Sequence, residues 1–249
     1  MSLLLDERRQ AMLLEMGIRC FGLEPALPAV GEVQRPVAKP LAQPTAQPAA
    51  LAAAARGVEL MQWDALAQAV SECRLCALCE GRRNTVFGAG DRQADWLIVG
   101  EAPGESEDLQ GEPFVGQAGV LLDNMLKAMG LGREHNVYVT NVLKCRPPGN
   151  RNPEPNEVAQ CAPYLRRQVE LLQPRIILAM GRFAVQALLS SNEPIGKLRG
   201  QVHRYNGVPV VVTYHPAYLL RNLPDKARAW ADLCLALEVL AQPERALAG

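Results

Sequence analysis

The sequence predicts a three-layer α/β/α domain built on a central, mostly parallel four-stranded sheet. Two observations carry this. Four short apolar runs, Trp96–Val99, Val137–Leu143, Ile176–Met180 and Val208–Thr213, have the length and composition of strands covered on both faces. Stretches with helical periodicity accompany them, at about 117–129, 157–172, 183–189 and 226–240. Strand alternating with helix is the pattern of a doubly wound sheet, which binds ligands at the carboxyl ends of its strands.

Taken in chain order, residues 1–22 read as a helical arm, with Leu5, Met12, Leu13 and Met16 near one face and Arg9 interrupting it. A helix that docks a protein partner and a loosely attached arm fit equally well. Residues 23–57 are rich in proline, alanine and glutamine and poor in charge, the composition of a flexible linker that buries little. The compact domain is expected over 58–243, with a short tail at 244–249. Apolar residues make up 49% of the 249, enough for a real core and too many for a disordered chain. No apolar run reaches the ~18 residues of a membrane span and no secretory signal opens the chain, so a cytoplasmic monomer without a membrane is expected. Net charge is zero, but its distribution is uneven: residues 61–139 carry 6 Lys/Arg against 12 Asp/Glu, and residues 140–230 carry 13 against 5. A basic second half suits a polyanion held on one side of the molecule.

A helix over about 60–72 leads into Cys73, Cys76 and Cys79. Thiolates two residues apart can close on one metal or cluster because the intervening turn aims both sulfurs inward. Three at this interval follow the spacing of the bacterial ferredoxin run. A fourth ligand must come from elsewhere, and Cys145 and Cys161 are the candidates. Each has a plainer reading. Cys161 shares a helical face with Val158, Leu165, Val169 and Leu172, and Cys145 suits a buried thiol at a strand end. Cys20 and Cys234, without partners in sequence, read as structural.

The strand Trp96–Val99 runs into Gly100-Glu101-Ala102-Pro103-Gly104-Glu105-Ser106-Glu107-Asp108, where glycines permit a sharp turn and carboxylates gather at the ligand-binding edge. Asn141 sits within the next strand, where a carboxamide needs a partner and has the paired donor and acceptor to read a base edge. Phe114, between Pro113 and Val115, offers a stacking face or an ordinary core ring. His215 follows the last strand and precedes Pro216, which aims it at the same edge, where it can donate to a developing anion. Beyond it, Tyr218, Leu219 and Leu220 form an apolar tip beside Arg221, the makeup of a wedge for a base stack, or of a short helix start burying two leucines. In the last helix, Trp230, Leu233, Leu237 and Leu240 form an expected core stripe.

These residues resemble the uracil-DNA glycosylase superfamily, and within it family 4, whose members carry a [4Fe–4S] cluster. The resemblance runs from about Cys73 to Leu237 through GEAPGESED (100–108), GEPFVGQAG (111–119), VYVTNVLKCRPPGN (137–150), the helix with Cys161, and HPAYLLRN (215–222). It implies an enzyme that flips uracil out of DNA, hydrolyses the N-glycosidic bond and leaves an abasic site. Carried over by position, Gly100, Glu101 and Ala102 surround uracil and the attacking water; among the loop's carboxylates Glu101 is the candidate for placing that water, with Glu107 second, as a support for the loop. Phe114 stacks on the base, Asn141 tells uracil from cytosine, and His215 stabilises charge on uracil O2. The implied cluster ligands are Cys73, Cys76, Cys145 and Cys161, in preference to Cys79. Leu219, Leu220 and Arg221 fall at the expected DNA contact. Ala102 stands where some relatives have glycine. The interval Arg146–Gln160 lacks the histidine through which one relative bonds covalently to uracil, which argues for hydrolysis and release. Two other readings remain at this stage: a non-catalytic iron–sulfur DNA-binding accessory protein, and a zinc or redox protein using the cysteines.

Overall fold

The computed structural model describes residues 57–242. The arm expected at 1–22, the linker at 23–57 (apart from Gly57) and the tail at 244–249 lie outside the described residues.

Six strands form one sheet: β1 (Ala89–Gly90), β2 (Trp96–Gly100), β3 (Val137–Asn141), β4 (Ile176–Met180), β5 (Val202–Tyr205) and β6 (Val208–Thr213), in the order β1-β3-β2-β4-β6-β5. The four strands expected from sequence are the four mutually parallel ones, β3-β2-β4-β6. The expected count of four is thus corrected to six by two short antiparallel edges, β1 on β3 and β5 on β6. β5 escapes a hydrophobicity reading because its residues alternate between exposed and half-buried. A local signal did exist: Asn206-Gly207, with φ of 49° and 85°, is the two-residue turn that hairpins favour.

The apolar runs divide cleanly by the two-residue period of a strand. Leu97 and Val99 of β2, Ile177 and Ala179 of β4, and Val210 and Val212 of β6 face one layer. That layer comes from α5 (Pro155–Leu172) and α6 (Arg182–Leu189). Trp96, Ile98, Ile176, Leu178 and Val211 face the other, made by α4 (Gln117–Ala128) and α9 (Asp225–Ala241). α5 starts with Pro155 in its first turn, and the Glu157 carboxylate accepts the Glu154 N–H at 2.8 Å, so one of the free donors at the helix start is met. α1 (Trp63–Ser71) packs Leu66 and Val70 against Tyr164 of α5 and is followed by the one-turn α2 (Leu78–Gly81). In α9 the buried residues are Ala229, Asp232, Leu233 and Ala236. Trp230, expected in the core stripe, is 45% exposed. Asp232 takes the inward position instead, because Thr213 and Arg199, which follows the one-turn α7 (Ile195–Leu198), both donate to its carboxylate.

The chain leaves β2 toward β3 on one side and leaves β4 toward β6 on the other. Between the carboxyl ends of β2 and β4 the connections therefore part, and an open α/β sheet has its ligand crevice at such a point.

Candidate active site

A cleft of about 980 Å³ opens there, lined among others by Glu101, Ala102, Phe114, Asn141, Tyr214, His215 and Arg221. All of the expected pocket residues except Gly100 line it, and Gly100 lies directly beneath two of them. A Cβ on Gly100 would stand 2.6 Å from the Phe114 ring and closer still to the Asn141 side chain. Glycine at the end of β2 is what allows those two groups to meet.

β3 ends at Asn141, which pairs in register with Gly100. Asn141 is therefore a strand-end residue at the ligand edge. It is 2% exposed, and its Oδ1 has no hydrogen-bond partner. A buried, unpaired acceptor is costly, of the order of 1–3 kcal/mol, and a donor reaching it from the cleft would offset that cost.

Phe114 lies on the loop between α3 (Glu105–Gln110) and α4 and adopts φ 55°, a left-handed conformation unusual for a bulky residue. Its surroundings impose this. Arg133 donates to the Pro113 carbonyl at 2.8 Å and to the Phe114 carbonyl at 2.6 Å. The Phe114 carbonyl also presses against Gly119, where any Cβ would collide with it. Glu107 joins this loop to the loop after β2. One carboxylate oxygen accepts from Val115 N (2.9 Å) and Gly116 N (3.1 Å), the other from Gly104 N (3.0 Å). Its neighbours divide as chain direction dictates. Asp108 is 4% exposed and accepts from Arg83 N at 3.0 Å, so it shapes the loop from within. Glu105 lies at the surface, 3.8 Å from Arg146.

Glu101 faces the cleft half-buried, and desolvation raises its carboxyl above the ordinary range, with Arg182 at the start of α6 opposing the shift. His215 caps α8 (Pro216–Leu219): its Nδ1 accepts the Ala217 N–H at 3.2 Å. In the neutral ring the proton is then on Nε2, the one remaining nitrogen free to donate. Desolvation, followed by the charge of Arg221, lowers His215 to about 4, against a smaller opposing pull from Glu107. The imidazole is thus neutral near pH 7.

Of the three expected DNA-contact residues, Leu220 (40% exposed) and Arg221 are at the surface. Leu219 is only 1% exposed, so its expected wedge role is corrected: the single turn of α8 points it inward toward α4. Leu223, which sequence reading passed over, projects instead at 61% exposure.

The cysteines occupy a second place, beside the first half of α5. Cys73, Cys76, Cys79, Cys145 and Cys161 all border one small enclosed space, together with Arg82, Lys144 and Tyr164. Arg82 donates to Cys145 Sγ at 3.1 Å. Burial raises the thiols of Cys76, Cys145 and Cys161, the last to about 12. Among the described residues, no three of His, Cys, Asp and Glu are grouped so as to hold a single metal ion. Cys79 borders the same space as the four expected ligands, so position alone does not set it apart. Cys234 lies on α9, away from this group.

A strand-end cleft with a neutral histidine, an unpaired amide and a carboxylate is the arrangement of an enzyme that works on a planar polar ring. Comparison with known proteins makes this specific. A family model described as the uracil DNA glycosylase superfamily matches residues 87–234. A type-4 uracil-DNA glycosylase from Saccharolobus solfataricus is 45% identical over 170 residues, 65% of this chain and 78% of the relative. The proteins of that name from Archaeoglobus fulgidus (46% identical; 63% of this chain, 82% of the relative) and Thermotoga maritima (42%; 68% and 88%) are similar to it at the same level. The chain belongs to the uracil DNA glycosylase superfamily, and within it groups with family 4. Among the described residues, no helix is long and apolar enough to cross a membrane.

Proposed function

We propose that this protein is a DNA repair glycosylase that flips uracil out of DNA and hydrolyses its N-glycosidic bond, releasing uracil and leaving an abasic site. The observation that carries this is the unpaired Oδ1 of Asn141 at the floor of a cleft whose walls are Phe114, His215 and Glu101. A flipped uracil supplies what that atom lacks, since N3–H donates to Oδ1 while the Asn141 amide donates to O4. Cytosine presents an unprotonated N3 and an amino group, and leaves the same amide mismatched.

The chemistry follows from the surroundings. Phe114 stacks on the base and offsets part of the few kcal/mol needed to extrude it. As the N1–C1′ bond breaks, its electron pair goes to uracil, and the sugar becomes cation-like. His215, held neutral with Nε2–H free, donates to O2 where that charge accumulates. Glu101 orients water toward C1′ and accepts its proton as the new C–O bond forms, a task suited to a carboxylate of raised affinity for protons. Gly100 and Ala102 shape the loop around water and base. Leu220 and Arg221 touch the DNA beside the extruded nucleotide.

The thiols suit a [4Fe–4S] cluster. Cys73 and Cys76 come from the segment after α1, Cys145 from the loop after β3 and Cys161 from α5, so one group would fasten three segments. When bound, it would supply structural fastening; the hydrolysis itself requires no redox step. The partner is uracil-containing DNA, single- or double-stranded. We place the enzyme in the cytoplasm as a monomer, with the catalytic unit at 58–243. A single-turnover assay on a uracil-containing oligonucleotide tests the reading. Alkali-labile abasic sites and free uracil are expected, and intact DNA bound without cleavage would favour a non-catalytic accessory protein.

A further inference from the structure

Lys144 is 1% exposed, an unusual position for an ammonium group. Its Nζ lies 2.6 Å from Thr140 Oγ1, 2.7 Å from Gln168 Oε1 and 2.8 Å from the Asn141 carbonyl oxygen. Three acceptors match the three protons of an ammonium. The hub extends outward: Thr140 Oγ1 and Gln168 Nε2 both donate to the Phe87 carbonyl at 2.9 Å. Among the described residues no carboxylate pairs with Lys144, and its own N–H is directed at the Cys161 sulfur. An apolar residue of this length would fill the space without the several kcal/mol that burying a charge costs.

We propose that Lys144 is a positioning residue for base recognition. By holding the Asn141 carbonyl and tying it to Gln168 on α5, it fixes the end of β3 and with it the Asn141 side chain. The geometry explains why the hub sits where it does. Asn141 is the last residue of β3: on the β2 side Val142 and Leu143 still donate to the Gly100 and Glu101 carbonyls, but on the other side β1 pairs no further than Val139. The ammonium supplies the missing restraint on the Asn141 carbonyl. Lys144 also immediately precedes Cys145 and reaches Gln168 of α5, so the cysteine site and the base pocket share a strut.

The inference rests on Asn141 being the reader of the base, and the test separates the two. Binding of free uracil, read as product inhibition, and the KM and kcat of excision are measured for Lys144→Met, Gln168→Ala and Asn141→Ala. Visible absorbance and iron content report the cysteine site. Lys144→Met is expected to weaken uracil inhibition about tenfold and to raise KM more than it lowers kcat, with Gln168→Ala shifting both in the same direction by less. In an Asn141→Ala background, Lys144→Met should add nothing to the loss of uracil binding, which a general structural role would not predict. Folded, iron-containing Lys144→Met with unchanged uracil inhibition overturns the proposal, as do additive losses in the double variant. If Lys144→Met does not fold, Gln168→Ala decides by the same criteria. If Asn141→Ala itself binds uracil normally, the reading of Asn141 has failed, independently of Lys144.

Discussion

The rings of Phe114 and His215 lie 5.3 Å apart, centroid to centroid, and 28° from parallel. One comes from a loop before α4, the other from the turn after the last strand. Their contact means that two walls of the pocket support each other before any DNA arrives. The strained φ of Phe114 is held by Arg133 and by close packing on Gly119, so the pocket is organised by the fold.

Asn141→Asp should relax discrimination against cytosine while leaving the fold intact. The aspartate accepts from the cytosine amino group and, when ionised, cannot donate to uracil O4. Excision from paired uracil and cytosine oligonucleotides should show uracil activity falling about 10–100-fold as cytosine activity emerges. Unchanged selectivity would remove Asn141 from its role.

The pH response of His215 has a definite sign. Its folded value of about 4 lies below the ordinary 6.5, so between these limits the unfolded chain binds more protons than the folded one. The stability this group contributes is full above pH 6.5 and is lost as pH falls toward about 4. Denaturant titrations at pH 7.5 and 5 should show a drop in wild type that is smaller in His215→Gln. The kcat/KM profile should cross pH 6.5 without a histidine inflection, whereas an inflection there that vanishes in His215→Gln would contradict the neutral, desolvated imidazole.

Glu107→Ala should cost about 2–3 kcal/mol, because three backbone N–H groups lose one charged acceptor. The melting temperature should fall by roughly 5–10 °C. Excision should slow as well, since Glu107 joins the Glu101 loop to the Phe114 loop. Glu107→Gln should recover part of both, having one oxygen to accept. A Glu107→Ala protein as active and stable as wild type would show that the loops hold each other without it.

Iron removal or Cys161→Ala should loosen the α1–α5 contact ahead of the sheet. Hydrogen exchange should then rise first over 63–79 and 155–161, and the brown absorbance should be lost. Exchange that rises evenly across the sheet would argue against a local fastening role.

Much of this was legible in sequence, for physical reasons that differ from element to element. The four parallel strands announce themselves because both faces are buried, leaving no polar alternation. Phe114 and Asn141 are legible through their motifs, and His215 also through its position after the last strand. Trp230 misled because apolar spacing cannot foresee that Asp232, paired with Arg199, occupies the inward face. Leu219 misled because one turn of helix decides which leucine points out, and Leu223, which carried no expectation, is the one that projects. Glu107 is legible as a support for its own loop, but its reach to Val115 and Gly116 is not, since those donors are backbone groups, which carry no side-chain signature. The same holds for the hub of Lys144, whose buried charge reads as a surface lysine until its three acceptors are in place.

The pocket draws Glu101, Asn141 and His215 from three strands, the last of which is among the final elements of the chain to be synthesised. Only a chain that extends past β6 to His215 carries all three. A polypeptide still emerging from the ribosome therefore lacks one wall of the cleft until almost the whole domain has been made.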